Sequence, residues 1–216
     1  MKSVLIIGMG RLGMQLAVKM EEMGNDVMAI DQNEAVIEVV SSHVTDCMTG
    51  DCTNENVIAS LGVENFDICF VTIGDDFQSS LVITYLLKKA GARNIVAKAR
   101  QDIQAELLKT IGASEVIFPE KEMAEKLAVR YNADNIFDYI PLTTDDAIYE
   151  IKAPSSWYGK TIVQLNVRVN YKVSIIAVKN GEDIITSPGA SYKFKNGDHM
   201  MVIGKSSDVF KLSSRT

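Results

Sequence analysis

The sequence predicts an α/β chain: a doubly wound parallel sheet over residues 1–134, followed by a small α+β module over residues 135–216. Three observations carry this. The first 31 residues read as an apolar β-branched strand, the glycine-rich turn Gly8-Met9-Gly10-Arg11-Leu12-Gly13, an amphipathic helix and a second strand ending in Asp31, the context that makes G-x-G-x-x-G a phosphate-binding signal. Strand-like and helix-like patterns then alternate through six β-units up to residue 131, as in sheets covered by helices on both faces. After Asn132-Ala133-Asp134-Asn135 the pattern changes to short β segments with turn signals at Asn180-Gly181, Pro188-Gly189 and Asn196-Gly197.

Each element follows from local pattern. Ser3 to Ile7 is the first strand, and the helix after it carries Leu12, Leu16, Met20 and Met23 before stopping at Gly24. A helix from Glu34 to Ser41 and a short strand from Val44 to Met48 lead to Gly50-Asp51, with a further helix from Asn54 to Leu61. The nearly continuous apolar run Asp67 to Ile73 is a central strand ending in Gly74-Asp75-Asp76. A helix with Phe77, Leu81 and Tyr85 on one stripe, a strand from Asn94 to Arg100, a helix from Ile103 to Thr110 and a strand from Glu115 to Phe118 follow. The last helix of this half carries Met123, Leu127 and Tyr131, which places the domain boundary at Asp134. In the second module the expected strands are Ile136 to Ile140, Ala147 to Ile151, Val173 to Lys179 and His199 to Ile203, with a helical stretch from Ile162 to Asn166.

The candidate nucleotide contacts lie at the carboxyl ends of these strands. Gly8 permits the tight turn, Gly10 lets backbone approach a phosphate, and Gly13 lets the helix pack closely, so that helix N–H groups face an anion. Asp31 is placed to accept from ribose hydroxyls and would repel a 2′-phosphate, which argues against NADP. Arg11 puts a forked cation beside the loop, either to reach a terminal phosphate or to sit in solvent against an unfavourable helix dipole. Asp51 is a ligand-side carboxylate or a turn residue, Lys98 and Arg100 are phosphate partners or solvated charges, and Glu120 after Pro119 is already explained by a helix N-terminus. The full candidate set is Gly8, Gly10, Arg11, Leu12, Gly13, Asp31, Gln32, Asp51, Cys52, Ile73, Gly74, Lys98 and Arg100.

Bulk properties narrow the function. The 216 residues are 47% apolar with a net charge of −6, and no Lys/Arg cluster with interleaved aromatics marks a nucleic-acid surface. Apolar runs such as Ile68-Cys69-Phe70-Val71 are strand-sized, short of the roughly 18 residues that span a bilayer, so a cytoplasmic location without a signal peptide is expected. Cys47, Cys52 and Cys69 are expected as free thiols. His43 and His199 read as structural, and neither G-x-S-x-G, H-E-x-x-H nor a P-loop lysine is present. The loop is therefore suited to hold a nucleotide rather than break it, and a binding module outranks the alternative, a small NAD-dependent oxidoreductase.

The glycine loop with Arg11, Asp31, Gly50-Asp51, Phe118-Pro119-Glu120-Lys121, Leu165-Asn166-Val167-Arg168 and Lys195-Asn196-Gly197-Asp198 together resemble the RCK (KTN, Trk/Ktr) potassium-transport regulators over the whole chain, most of all the stand-alone cytosolic subunits of Ktr type. The resemblance implies a Rossmann-like RCK N-terminal domain and a small RCK C-terminal domain. It further implies a non-enzymatic regulatory subunit whose homodimers assemble into a homo-octameric ring on a membrane potassium channel or transporter, peripheral to the inner face of the membrane. ATP or ADP in the Rossmann site would gate the pore; NAD(H) is the ligand of the related Trk-type regulators. By position, Arg11 resembles the arginine on the terminal phosphate, Asp31 the ribose acid, Asp51 an adenosine-side contact and Lys98 a phosphate-side lysine. Glu120 resembles a glutamate that holds Mg²⁺ or Ca²⁺ near the phosphates. Arg168, Ile162, Ser174 and Ile175 resemble a second, cyclic di-AMP site, although Val173 and Ser174 replace polar residues found in members that bind it.

Overall fold

The computed structural model describes residues 1–132 and 135–214 and divides into two compact units, Met1–Lys121 and Glu122–Thr216. The division falls inside a helix, and the boundary expected at Asp134 lies outside the described residues.

The first unit is a six-stranded sheet in the order β3-β2-β1-β4-β5-β6, with every pairing parallel. The strands are β1 (Ser3–Ile7), β2 (Asp26–Asp31), β3 (Asp46–Thr49), β4 (Ile68–Val71), β5 (Ile95–Lys98) and β6 (Glu115–Ile117). Alternate side chains feed two cores. Leu5, Ile7, Cys69, Val71, Ile95 and Ala97 pack on one face, and Val4, Ile6, Phe70 and Val96 on the other. Helices α3 (Glu55–Ser60), α4 (Phe77–Lys89) and α5 (Asp102–Ile111) cover the first face through Ile58, Ile83, Leu87 and Leu108. Helices α1 (Arg11–Glu22) and α2 (Glu34–Val40) cover the second through Ala17, Ile37 and Val40. Burial on both faces explains the unbroken apolar strands.

Helical stripes were less legible. On α4 the buried face is Ser80, Ile83, Thr84, Leu86 and Leu87, whereas Tyr85 is exposed. Both stripes fit a helical period, and the sheet selects the one that fills its groove. Met23 caps α1 and is exposed, while Gly13 and Ala17 are the buried residues of that helix, because close packing on the sheet favours small side chains. Helix α6 (Pro119–Asn132) buries none of its residues, and Met123, Leu127 and Tyr131 are exposed. The third strand begins at Asp46 rather than Val44.

The second unit is a five-stranded antiparallel sheet, β10-β9-β11-β8-β7. Its strands are β7 (Ile136–Pro141), β8 (Asp146–Lys152), β9 (Ser174–Asn180), β10 (Asp183–Thr186) and β11 (His199–Lys205). Helices α7 (Ile162–Leu165), α8 (Val167–Tyr171) and α9 (Ser206–Ser213) complete it. The sequence pattern does not mark strand β10 or helices α8 and α9: β10 is a four-residue edge strand, all exposed, without polar alternation, and the helices are short. Thr161 and Gln164 form a capping box that starts α7. Trp157 is buried against Phe194 and Tyr171, ring centroids 5.3 and 4.9 Å away.

One buried carboxylate ties this unit together. Asp198 is fully buried and accepts from Asn180 Nδ2 at 2.7 Å, Tyr192 OH at 2.8 Å and Lys195 N at 2.8 Å, while its own carbonyl accepts from Ala153 N at 2.8 Å. Three donors replace the water the carboxylate gave up. Burial, and then the bond to Asp198, push the Tyr192 hydroxyl from 10.0 up to about 12. Tyr192 thus stays protonated in the folded unit where the unfolded chain would already lose its proton, so its stabilisation is complete below pH 10 and disappears as pH rises towards about 12. Tyr192→Phe is expected to cost about 1 kcal/mol at neutral pH and to remove this alkaline dependence, as read by urea unfolding at pH 8 and across the alkaline range.

Candidate nucleotide site

A cavity of about 270 Å³ opens outside the carboxyl ends of β1, β2, β3 and β4, where the strand order reverses between β1 and β4. Gly8, Gly10, Asp31, Gln32, Asp51, Cys52, Ile73 and Gly74 of the candidate set line it. The glycine loop arrives through Gly8, held at φ +98°. Gly10 then caps α1 in an extended conformation without a side-chain hydrogen bond, and the first turn of α1 carries no acid. Helices α2, α3 and α4 are instead capped by Asn33, Asn54 and Asp76. The start of α1 is thereby left to an external acceptor.

Asp31 accepts from Met9 N at 2.6 Å through Oδ2 and from Asn33 N at 2.9 Å through Oδ1. Asp51 accepts from both N and Oγ1 of Thr53, which holds its carboxyl below the usual range. Cys52 is buried, and desolvation followed by the charges of Asp51 and Asp31 pushes its thiol up to about 12. All three cysteines are free thiols.

Lys98 and Arg100 reach this cavity at Gly74 and Asp75 without being among its lining residues. Arg11, Arg100 and Glu120 line a neighbouring one of about 370 Å³ with Ala99, Phe118 and Lys121. Lys98, with only 9% of its side chain exposed, pairs with Glu120 Oε1 at 2.6 Å, and that bond is the main reason the Glu120 carboxyl titrates low. Arg100 pairs with Asp75. Both cations press on Gly74: a Cβ there would meet Lys98 Nζ at 3.1 Å and an Arg100 guanidinium nitrogen at 3.3 Å. Among the described residues Arg11 makes no ion pair. Leu12 and Gly13 line neither cavity, and the side-chain position of Gly13 faces the Gly8 carbonyl instead. The cavity also contains Gly50 of the Gly50-Asp51 motif, together with Ile7, Thr53, Thr72, Asp75, Asp76, Ser79 and Ile83, which lie outside the candidate set. Their shared signal is position, at or just after strand ends or within the first two turns of α4.

In the second unit, Ile162, Arg168 and Ile175 line a cavity of about 300 Å³ with Val163, Asn166, Val167, Pro188 and Ala190. Ser174 is not on it: strand alternation sends neighbouring β9 side chains to opposite faces. His199 is held by Glu150 at 2.9 Å and stacks on Phe137. No helix among the described residues is long and apolar enough to cross a membrane, and no cluster of three metal-binding side chains occurs among them.

A family model described as the TrkA-N domain matches residues 4–119, and one described as the TrkA-C domain matches residues 147–215. The chain is 34% identical over 214 residues to Ktr system potassium uptake protein C of Bacillus subtilis (strain 168), spanning 99% of this chain and 97% of that one. It is 34% identical over 208 residues to Ktr system potassium uptake protein A of the same organism, at 96% and 94% coverage. Among solved structures, the GsuK RCK domain superposes with a TM-score of 0.67 over 99% of this chain and 47% of that one. At 18% identity this is a likeness of fold.

The two later glycines of the loop answer to different demands. A Cβ at Gly13 would meet the Gly8 carbonyl oxygen at 2.0 Å, whereas one at Gly10 meets nothing within 4 Å. Gly13→Ala is expected to cost at least about 2 kcal/mol, since backbone must move. Gly10→Ala should stay within about 0.5 kcal/mol yet weaken a ligand whose phosphate rests on that backbone. Thermal unfolding of both variants, with and without ADP, checks the contrast.

Proposed function

The chain belongs to the family built from a TrkA-N domain followed by a TrkA-C domain, and from that premise we propose that it is a nucleotide-sensing regulatory subunit of a Ktr-type potassium-uptake system. The observation that carries this is 34% identity to a Ktr potassium uptake protein across 99% of the chain. An anion-ready loop facing Asp31 supports it. Relatives named for potassium uptake favour a regulator over an oxidoreductase, and in this reading the chain performs no chemistry on its nucleotide.

The ligand in this reading is ATP or ADP. Asp31, with lone pairs left after its two backbone bonds, accepts from ribose hydroxyls; Cys52 and Ile73 flank the base side with Asp51 and Gln32; the phosphates lie at the start of α1. Terminal phosphate extends towards Arg11, and Lys98 and Arg100 exchange Glu120 and Asp75 for phosphate oxygens. Glu120, released in this way, supplies a hard oxygen ligand for Mg²⁺ or Ca²⁺. The subunit works as a dimer within a ring on the cytoplasmic face of a membrane potassium transporter, so that a change of nucleotide becomes a change of pore. NAD(H) satisfies Asp31 equally well, and its affinity separates this subunit from an NAD-sensing relative. The cavity around Arg168 is the proposed place of a second ligand, cyclic di-AMP, with Ile162 and Ile175 against its bases.

Calorimetry tests the nucleotide assignment. ATP and ADP are expected to compete for one site, and Asp31→Ala should abolish both. NADH binding at least tenfold tighter than ATP, about 1.4 kcal/mol, would replace this assignment with a dinucleotide sensor. Arg11→Ala should weaken ATP more than ADP, because only ATP offers the further phosphate.

A second measurement concerns the metal. Mg²⁺ or Ca²⁺ is expected to tighten ATP binding, and Glu120→Gln to remove that response while leaving metal-free affinity within about threefold, or roughly 0.6 kcal/mol. An unchanged metal response would leave Glu120 as the partner of Lys98 alone.

A further inference from the structure

The peptide unit joining Gly8 to Met9 is held at both ends. Its carbonyl oxygen accepts from Thr72 Oγ1 at 2.5 Å, and its N–H donates to Asp31 Oδ2 at 2.6 Å. Thr72 follows β4, on one side of β1, and Asp31 ends β2 on the other. The Thr72 backbone is itself fixed, its N–H donating to Ile7 O at 2.9 Å, and the residue is only 6% exposed. The same threonine limits the approach of α1, since a Cβ on Gly13 would meet its Oγ1 at 2.7 Å.

From this geometry we infer that Thr72 is a positioning residue of the nucleotide site, one jaw of a clamp on the Gly8–Met9 peptide whose other jaw is Asp31. The inference rests on the nucleotide reading of the cavity and deepens it. A hydroxyl donates one proton; Thr72 Oγ1 lies 2.5 Å from the Gly8 carbonyl oxygen and 3.1 Å from Ile7 O, and the shorter contact assigns the proton to Gly8. Were the peptide turned over, its oxygen would face the Asp31 carboxylate and its N–H the Thr72 hydroxyl, so the two jaws favour the same orientation. With that peptide fixed, the Gly8 carbonyl points into the sheet, and the amides that follow, at the start of α1, remain available to an anion. Removing the hydroxyl strands a buried carbonyl and frees the peptide to turn, which would present a partial negative charge where a phosphate should rest. Asp31 consequently serves twice, as ribose acceptor and as clamp, whereas the Thr72 hydroxyl acts through the loop.

The test is ADP affinity of the full chain by calorimetry, with amide hydrogen exchange at Met9, for the wild type, Thr72→Val and Thr72→Ser. Thr72→Val, which keeps the shape and deletes the donor, is expected to weaken ADP at least tenfold and to accelerate exchange at Met9 while leaving the amides of β1 and β4 protected. Thr72→Ser, which restores the donor, should return affinity to within threefold of wild type. Retention of wild-type affinity by Thr72→Val would overturn the clamp, as would a Thr72→Ser variant as weak as Thr72→Val, or loss of protection throughout the sheet. Failure of the wild type to bind ADP would instead overturn the nucleotide reading on which the clamp depends.

Discussion

The ligand-facing side of the first unit depends on a single close approach, the seating of α1 against the carbonyl of Gly8. A side chain at Gly13 would have to occupy space 2.0 Å from that oxygen, so the helix can lie where it does only with hydrogen at this position. From this seating follow the direction of the helix start, the exposure of its uncapped amides and the convergence of four strand ends on one cavity. The demand is one of excluded volume, and it is met before any ligand arrives.

Charge is arranged on a different rule. Lys98 and Arg100 are engaged by Glu120 and Asp75, so in the proposed function taking up an anion is an exchange of partners rather than the filling of a bare positive pocket. This reconciles a phosphate-type site with a net charge of −6. It also ties occupancy to the first turn of α6, because Glu120 is its second residue. A nearly buried lysine makes the exchange selective: with 9% of its side chain exposed, it has little water to fall back on when one partner leaves.

What could be read from the sequence was whatever depends on chain-local pattern. The loop, Asp31 and Gly50-Asp51 announce themselves because a βα unit sends its strand ends to one rim, so residues far apart in sequence share a cavity by topology alone. The placement of Arg11 and Arg100 on a neighbouring cavity, with Arg100 also reaching Asp75 of the first, was not legible, since it depends on where side chains of α1 and of the segment after β5 come to rest. Nor was Thr72, whose part is played with a backbone carbonyl 64 residues away and leaves no motif. Helical faces failed for a related reason. Tyr85 and Leu87 both suit an apolar stripe, and only the groove above β4 and β5 distinguishes them.

The thiol of Cys52 brings one more property to the cavity. It lines the ligand space, yet with its proton held up to about pH 12 only on the order of one part in 10⁵ is thiolate at neutral pH, and thiolate is the form that peroxides and electrophiles attack. The binding space therefore contains a sulfur atom that packs as an apolar surface and stays chemically mute. In the proposed function, a nucleotide site lined in this way would register its ligand without also responding to oxidants at that sulfur.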